Sequence, residues 1–452
     1  MAASTLRRIL VLTAMSAALA ACANRDEILP GDRVGLRDVL QEPVNRQGSA
    51  GSRDEAAPLS LPPQTVNADW THRNGGADHR IQHPALGPNP TLLWSADIGR
   101  GNDRKHRITT APVVADQRVF TLDSRANVTA TRTDGTRLWS VDLADALDLG
   151  DSGSGGGLAV GDGKLFVTSA LRRLVALDPA TGNLLWSQEF DAPVTAAPTV
   201  FDQTVYVVAN DASAWAIDTT NGRVRWQLPG TPTNSSMVGG AGPAVNDRLV
   251  VFPFPSGEVT AAMRRAGVRI WGNSVAGKRQ GRAWGSVSDI TGDPVITGTT
   301  VHIGNQSGRV VALDTRNGER RWTATEAAYS PVWPVDDAVF LISDEAQLVR
   351  LDADTGAVVW AQQLPDFIEA GFRINPFVRR DQRLAVYKHF GPVLAGGRLI
   401  VASDDGFVRF FDPQSGEKLS EIVLRQGAAA GPVVAGQVLY VVTGNGQLHA
   451  FR

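Results

Sequence analysis

The sequence predicts an all-β fold built from one repeated unit, and three observations support this prediction. A glycine followed four residues later by a tryptophan recurs six times in the 452-residue chain. A short motif, usually containing proline, opens each successive unit. Runs of β-favouring residues follow one another at intervals of about 8–12 residues, separated by Asp, Asn and Gly turns. Together they predict an eight-bladed β-propeller of four-stranded antiparallel blades, closed by the N-terminal strand, which completes the last blade.

The glycine–tryptophan spacing marks the end of each unit. A seventh copy, at Gly416, has Ser420 in the tryptophan position. In several copies an aspartate precedes the glycine by four residues; such a side chain can hydrogen-bond the backbone of the turn, and glycine accepts a positive φ. The six complete pairs are Gly135/Trp139, Gly182/Trp186, Gly222/Trp226, Gly267/Trp271, Gly318/Trp322 and Gly356/Trp360.

Eight openings divide the chain into units, and the steps from Pro112 to Pro432 average about 46 residues, the length of a four-stranded propeller blade. One opening, at Gly156, lacks the proline. The openings are Ala111-Pro112-Val113, Gly156-Gly157-Leu158, Ala197-Pro198-Thr199, Gly242-Pro243-Ala244, Asp293-Pro294-Val295, Ser330-Pro331-Val332, Gly391-Pro392-Val393 and Gly431-Pro432-Val433.

The third unit shows the strand order most clearly. Its apolar or alternating runs are 195–200, 205–209, 214–217 and 224–226, separated by polar turns. The final unit, 431–452, contains only three such runs, whereas Leu92–Ser95 precedes the first opening as an extra one. We therefore expect Leu92–Ser95 to complete the last blade. The tryptophans should pack between adjacent blades, where each ring can bury about 150–250 Å².

The sequence predicts three segments: a lipoprotein signal peptide at 1–21, a flexible tether at 22–68 and the propeller at 69–452. Arg7 and Arg8 flank a short apolar stretch that ends in Leu19-Ala20-Ala21-Cys22. This ending resembles the bacterial lipobox, in which the cysteine is lipidated. The alternative is an ordinary secretory signal with a chance cysteine. The tether prediction rests on charge, Gly/Ser and Pro without periodicity.

Composition and charge exclude several function classes. The formal net charge of −2 argues against a nucleic-acid partner, which needs excess positive charge. A single cysteine excludes an intrachain disulfide and a multi-cysteine metal site. His79 and His83 have i, i+4 spacing but no third ligand, which disfavours a metal site. The sequence therefore predicts no catalytic residues, no cofactor and no metal.

The run Val175-Ala176-Leu177-Asp178, followed by Gly182 and Trp186, resembles the repeats of quinoprotein (PQQ) dehydrogenases. Joined to a lipobox and to the opening Asp69-Trp70…Asn74-Gly75-Gly76, it resembles the BamB family of lipoproteins of the outer-membrane β-barrel assembly complex. The resemblance implies a non-enzymatic scaffold, monomeric within a hetero-oligomeric complex and anchored through Cys22 on the periplasmic face of the outer membrane. Its implied partners are the barrel-inserting outer-membrane subunit (BamA-like) and unfolded outer-membrane proteins.

Two other functions stay open at this stage. A quinoprotein enzyme would hold PQQ with a calcium ion and a carboxylate base, often beneath a disulfide of adjacent cysteines. This chain has no second cysteine and lacks the long insertions of those enzymes. The third possibility is an envelope ligand-binding propeller.

The family resemblance implies a partner surface on loops around the middle blades, here 235–239 and 288–291. Met237 fills an apolar position and Asp289 an acidic position of that pattern, although Asp289 could instead cap a turn. Val238 replaces a basic residue of the family, and Thr291 replaces a second acid. The predicted partner-binding residues are Met237, Val238, Asp289 and Ile290.

Two further segments are candidate contacts. The basic loop Lys278–Arg282 lies next to the predicted surface, and a solvated loop is the favoured interpretation. The insertion Phe367–Phe390 interleaves arginines with aromatic residues, a composition enriched at protein interfaces.

Overall fold

The computed structural model describes residues 58–147, 154–233, 239–277, 289–369 and 383–452. Eight four-stranded antiparallel sheets follow one another along the chain, and from blade 1 to blade 7 the innermost strands of successive sheets contact each other. The predicted all-β class and eight-bladed propeller are confirmed. The described residues contain a single helical turn, α1 (Leu143–Ala146), directly after the first blade.

Each blade runs from an innermost strand at the axis to an outermost strand at the rim. The strands of blades 1 to 4 are β2 (Val113–Ala115), β3 (Arg118–Leu122), β4 (Asn127–Arg132), β5 (Arg137–Asp142); β6 (Gly156–Gly161), β7 (Lys164–Ser169), β8 (Arg173–Leu177), β9 (Leu184–Glu189); β10 (Thr199–Phe201), β11 (Thr204–Val208), β12 (Ser213–Asp218), β13 (Val224–Pro229); β14 (Ala244–Val245), β15 (Leu249–Pro253), β16 (Glu258–Met263) and β17 (Arg269–Ser274). Those of blades 5 to 8 are β18 (Val295–Thr297), β19 (Thr300–Asn305), β20 (Arg309–Asp314), β21 (Arg320–Ala324); β22 (Trp333–Val335), β23 (Ala338–Ile342), β24 (Gln347–Asp352), β25 (Val358–Gln363); β28 (His389–Ala395), β29 (Arg398–Ser403), β30 (Phe407–Phe411), β31 (Lys418–Val423); β32 (Val433–Ala435), β33 (Val438–Val442), β34 (Gln447–Phe451) and β1 (Leu92–Asp97).

The insertion after blade 6 contributes a separate two-stranded hairpin. Its strands are β26 (Phe367–Glu369) and β27 (Arg383–Val386), which pair in antiparallel fashion. Residues 370–382, which hold most of the predicted arginine and aromatic contacts, lie outside the described ranges. The role of the insertion therefore stays a prediction.

The ring closes through the two ends of the repeat region, as the sequence predicts. Strand β1 pairs with β34 in antiparallel register, with Trp94 opposite Ala450 and Ser95 opposite His449. Thr91 and Arg452 extend this pairing through two reciprocal backbone hydrogen bonds of 2.8 and 2.9 Å. One continuous hydrophobic cluster contains residues of blades 6, 7, 8 and 1, so the core also passes through the closure point.

Adjacent blades are joined by a tryptophan of one blade packed on a glycine turn of the next. At Gly182 an added Cβ atom would lie 2.7 Å from the ring of Trp139, so only glycine allows this approach. Five of the indole N–H groups also donate to a backbone carbonyl in the neighbouring turn, at 2.7–3.1 Å. The seven contacts are Trp94 on Gly135, Trp139 on Gly182, Trp186 on Gly222, Trp226 on Gly267, Trp271 on Gly318, Trp322 on Gly356 and Trp360 on Gly416.

Ser420 occupies the one tryptophan position that has no glycine turn to contact. It lies in β31 of blade 7, whose next neighbour is blade 8. In blade 8 the last two strands are β34 and β1, which come from opposite ends of the repeat region, so no turn connects them. The missing tryptophan therefore coincides with the missing turn, and Trp94 in β1 supplies the seventh contact on the other side of the closure.

A bulge in each outermost strand directs its side chains. The register between the third and fourth strands shifts by one residue in all eight blades. In blade 3, for example, Trp226 stands opposite Ala216 and Val224 opposite Ile217, which leaves Arg225 unpaired. Such a bulge re-aims the following side chain, here the tryptophan that faces the next blade.

The axis of the ring is filled by residues 65–84, which we name the axial plug. Its backbone or side chains bond to seven blades, and the Trp70 ring stacks on Trp333 of blade 6 with ring centroids 6.2 Å apart. Residues 65–68 were assigned to the tether from the sequence, yet in the structure Thr65 and Asn67 already hydrogen-bond described parts of the chain. The bonded pairs are Asn67 with Val434, Trp70 with Val114, Thr71 with Val160, His72 with Val200, Ala77 with Val245, Asp78 with Ile296 and Pro84 with Gly396.

The closure makes Trp94 a stability determinant. Trp94→Ala should lower the free energy of unfolding by about 2–4 kcal/mol, because it removes an aromatic ring packed on Gly135 and Tyr440. Leu93→Ala is the control, since Leu93 is adjacent but 51% exposed, and it should change stability little. Urea unfolding measures both variants. Equal effects of the two changes would show that the Trp94 ring does not stabilise the closure.

His302 gives the ring a dependence on pH. It is buried against Trp322, with ring centroids 5.8 Å apart, at a position where five of the other seven blades carry Phe or Tyr. Burial, and secondarily the charge of Arg321, lower the pKa of His302 to about 4. Its pKa is about 6.5 in an unfolded chain, so the unfolded state binds the proton more readily. The contribution of His302 to the free energy of unfolding is therefore complete above pH 6.5. Between pH 6.5 and pH 4 this contribution falls by about 1.4 kcal/mol per pH unit.

His302→Phe should remove this contribution and restore the aromatic packing of the other blades. We expect the variant to exceed the wild type in stability, and by a wider margin at pH 4.5 than at pH 7. Urea unfolding at the two pH values measures this margin. A margin independent of pH would show that His302 does not titrate on unfolding. The slope that remains should include His72, whose pKa burial also lowers, to about 3.

Candidate partner-binding site

The predicted partner residues lie at the approaches to blades 4 and 5. We name residues 239–242, which lead to β14, the blade-4 stem, and residues 289–293, which lead to β18, the blade-5 stem. Met237, Val238 and the basic loop 278–282 lie outside the described residues. Asp289 and Ile290 begin the blade-5 stem, so the structure describes two of the four predicted positions.

Both described positions are buried within the chain. Ile290 is 1% exposed and belongs to a core cluster that includes Ala241 and Trp271. Asp289 is 3% exposed and lines a small cavity shared with residues of blades 3 and 4, among them Gly240 and Pro255. These side chains anchor the blade-5 stem against its neighbours. Their assignment to partner binding stays a prediction.

An arginine of the axial plug connects the two stems. Asp293 is fully buried, and its Oδ1 accepts a hydrogen bond of 2.7 Å from the backbone N–H of Gly242. Its Oδ2 lies 3.0 Å from Nε of Arg73. The Arg73 Nη1 donates to the carbonyl of Gly240 at 3.3 Å. A buried carboxylate is stable only when paired, so Asp293 depends on Arg73, and both stems depend on the pair.

The plug holds Arg73 in place through a tight local turn. His72 and Gly75 exchange backbone hydrogen bonds of 3.0 and 3.3 Å, and Asn74 adopts φ 63° and donates its side-chain amide to the carbonyl of His79. His72 Nε2 lies 3.0 Å from the backbone nitrogen of Val200 and 3.1 Å from its carbonyl oxygen. Burial is the main cause of the lowered pKa of His72, which keeps the ring neutral.

Sequence reasoning missed the pair of Arg73 and Asp293, although it used both neighbourhoods. Among the seven openings that contain proline, only Asp293 is charged, whereas the other six have Ala, Gly or Ser before the proline. This charged residue could have marked the opening of blade 5 as different from the others. Nothing in the sequence indicated that residues near position 73 reach the axis beside blade 5, because that contact joins positions more than 200 residues apart.

The two histidines with i, i+4 spacing have other bonds in the structure. His79 and His83 direct their Nδ1 atoms to the backbone carbonyls of Pro294 and Pro62. Across the described ranges, no group of three His, Cys, Asp or Glu side chains could hold a metal ion. The described ranges therefore offer no ready calcium site to the enzyme alternative, and the predicted lack of a cofactor stays a prediction.

In the part of the chain that the structure describes, no helix is both long and apolar enough to cross a membrane.

Comparisons with known proteins converge on one family. The family model described as outer membrane protein assembly factor BamB matches residues 124–362 and 381–452. The outer membrane protein assembly factor BamB of Yersinia pestis is 22% identical over 370 residues, which cover 80% of this chain and 89% of that protein.

Solved structures agree in fold. The crystal structure of BamB from Moraxella catarrhalis superimposes with a TM-score of 0.64 at 18% identity, covering 80% of this chain and all of that one. Quinohemoprotein alcohol dehydrogenase from Comamonas testosteroni reaches 0.61 at 15% identity, covering 85% and 80%. At these identities the two structures show the fold alone.

Proposed function

We propose, from the premise that this chain belongs to the outer membrane protein assembly factor BamB family, that it is a scaffold lipoprotein of the outer-membrane β-barrel assembly complex. It docks on the barrel-inserting subunit and assists the insertion of outer-membrane proteins. The observation that carries this proposal is the family match, which begins within the first blade and reaches the last residue of the chain. The similarity to a dehydrogenase concerns the fold only and supports no enzymatic function.

The construction of the ring suits a protein that works by contact. Its blades are locked to one another and to the axial plug, so loops at the ends of the strands are held on a rigid frame. Binding to a preorganised surface loses less conformational entropy than binding to a flexible one. The stems of blades 4 and 5 would support such a surface from beneath, because most of their residues are buried and Gly242 and Asp293 are bonded to each other.

Unfolded outer-membrane proteins are the second proposed partner. The outermost strand of every blade has one edge without a neighbour in its sheet, to which an extended chain could add as a further strand. The bulge in each of these strands interrupts a regular ladder and so limits nonspecific edge pairing. Capture would therefore be short and reversible, as delivery to another subunit requires.

Anchoring through Cys22 would place the ring at the periplasmic face of the outer membrane. Cys22→Ser should move the protein from the outer-membrane fraction to the soluble periplasmic fraction, because acyl chains provide the anchor. Thr13→Ala, in the apolar stretch before the lipobox, is the control and should leave the distribution unchanged. Fractionation combined with labelled palmitate measures both variants. A Cys22→Ser protein that stays in the membrane fraction would contradict the lipid anchor.

Met237 is the most direct test of the partner surface. Met237→Ala should weaken binding to the purified barrel-inserting subunit by about tenfold, the effect of removing an apolar interface anchor. Met263→Ala is the matched control, since Met263 is 46% exposed on β16 and lies outside the predicted surface. Equilibrium binding in detergent measures both. Wild-type affinity in Met237→Ala would remove the predicted surface from the account.

A further inference from the structure

The two stems of the candidate site share one buried ion pair, and that pair comes from outside the repeats. Asp293 belongs to the blade-5 stem, Gly242 and Gly240 belong to the blade-4 stem, and Arg73 belongs to the axial plug. No other opening in the chain carries a charged residue before its proline. At this position, an arginine of the axial plug is therefore connected to both the blade-4 stem and the blade-5 stem.

We propose that Arg73 is a positioning residue for partner binding, acting through Asp293 on the blade-4 and blade-5 stems. This inference rests on the proposed function, because it takes the predicted partner surface next to these stems as the docking surface. Arg73 itself does not touch the partner. It fixes where the two stems lie relative to each other.

The chemistry of the pair explains why an arginine is required. The guanidinium spreads its charge over a fixed plane, so one side chain can place Nε in an ion pair with the Asp293 carboxylate while Nη1 donates a hydrogen bond to the Gly240 carbonyl. A lysine has a single ammonium group on a flexible stem and would not hold both acceptors in the same geometry. Asp293 has its second oxygen on the N–H of Gly242, so the three groups form one continuous connection between the stems.

The surroundings of the pair favour positioning over a role in general stability. Arg73 has 23% of its side chain exposed, whereas Asp293 has none. The plug is held at the axis by separate bonds from Trp70, Thr71 and His72 to blades 1, 2 and 3. Loss of the arginine side chain therefore leaves the plug attached and frees mainly the two stems.

The test compares Arg73→Met with Arg80→Met in the full-length protein. Arg80 lies in the same plug, and its side chain is not part of the stem connection. Hydrogen–deuterium exchange should show the Gly242 amide and its stem neighbours exchanging about tenfold faster in Arg73→Met, with the amides of β3 and β4 unchanged. Affinity for the purified barrel-inserting subunit should fall by about tenfold in Arg73→Met and stay at the wild-type value in Arg80→Met.

A second variant covers the case in which an unpaired Asp293 prevents folding. Arg73→Met combined with Asp293→Asn removes the buried charge together with its partner, so it should melt close to the wild type while binding stays weakened about tenfold. Arg73→Lys should melt close to the wild type, unlike Arg73→Met, but should recover only part of the wild-type affinity for the subunit.

The outcomes separate this inference from the proposed function. If a folded Arg73→Met protein or the double variant binds the barrel-inserting subunit with wild-type affinity, the positioning role is overturned. The proposed function still stands in that case, because the wild type binds the subunit. Stem amides that exchange at the wild-type rate overturn the inference as well. A wild-type protein that does not bind the subunit at all contradicts the proposed function itself.

Discussion

The pairing of β1 with β34 is the interaction on which the rest of this structure depends. A row of four-stranded sheets exposes the faces of its first and last members, and a ring removes both. Here the first strand of the repeat region becomes the outermost strand of the last blade, so the two ends of a chain segment of some 360 residues are hydrogen-bonded to each other. The hydrophobic cluster that joins blades 6, 7, 8 and 1 spans this point of closure.

Two different devices then hold the closed ring. At the rim, each tryptophan needs a glycine turn in the next blade, and the single missing tryptophan, at Ser420, falls where the chain ends replace that turn. At the axis, the plug reaches every blade through backbone hydrogen bonds, side chains or the stacking of Trp70 on Trp333. The rim contacts are repeated and local, whereas the axial contacts are unique and join distant parts of the sequence.

That difference explains which features could be predicted from the sequence. Local spacing predicts the number of blades, the strand order within them, the closing strand and the role of the tryptophans, because each repeated contact requires the same motif in every unit. The path of residues 65–84 does not repeat and therefore has no such motif. The burial of Asp289 and Ile290 was also unpredicted, since a family pattern gives residue types and not their exposure. Asp293 was visible only as a departure from the other openings.

The closed ring provides a frame on which the stems of blades 4 and 5 can carry a docking surface, and this makes chain-end pairing the claim to test first. Cysteines at positions 95 and 449, introduced as Ser95→Cys and His449→Cys in a Cys22→Ser background, would face each other across β1 and β34. Cross-strand neighbours lie within the range of Cα separations that a disulfide spans, about 4.4–6.8 Å. Mass spectrometry after mild oxidation should find an intramolecular disulfide between these two positions in nearly every molecule. Two free thiols, or a disulfide between separate chains, would contradict a ring closed by its own ends.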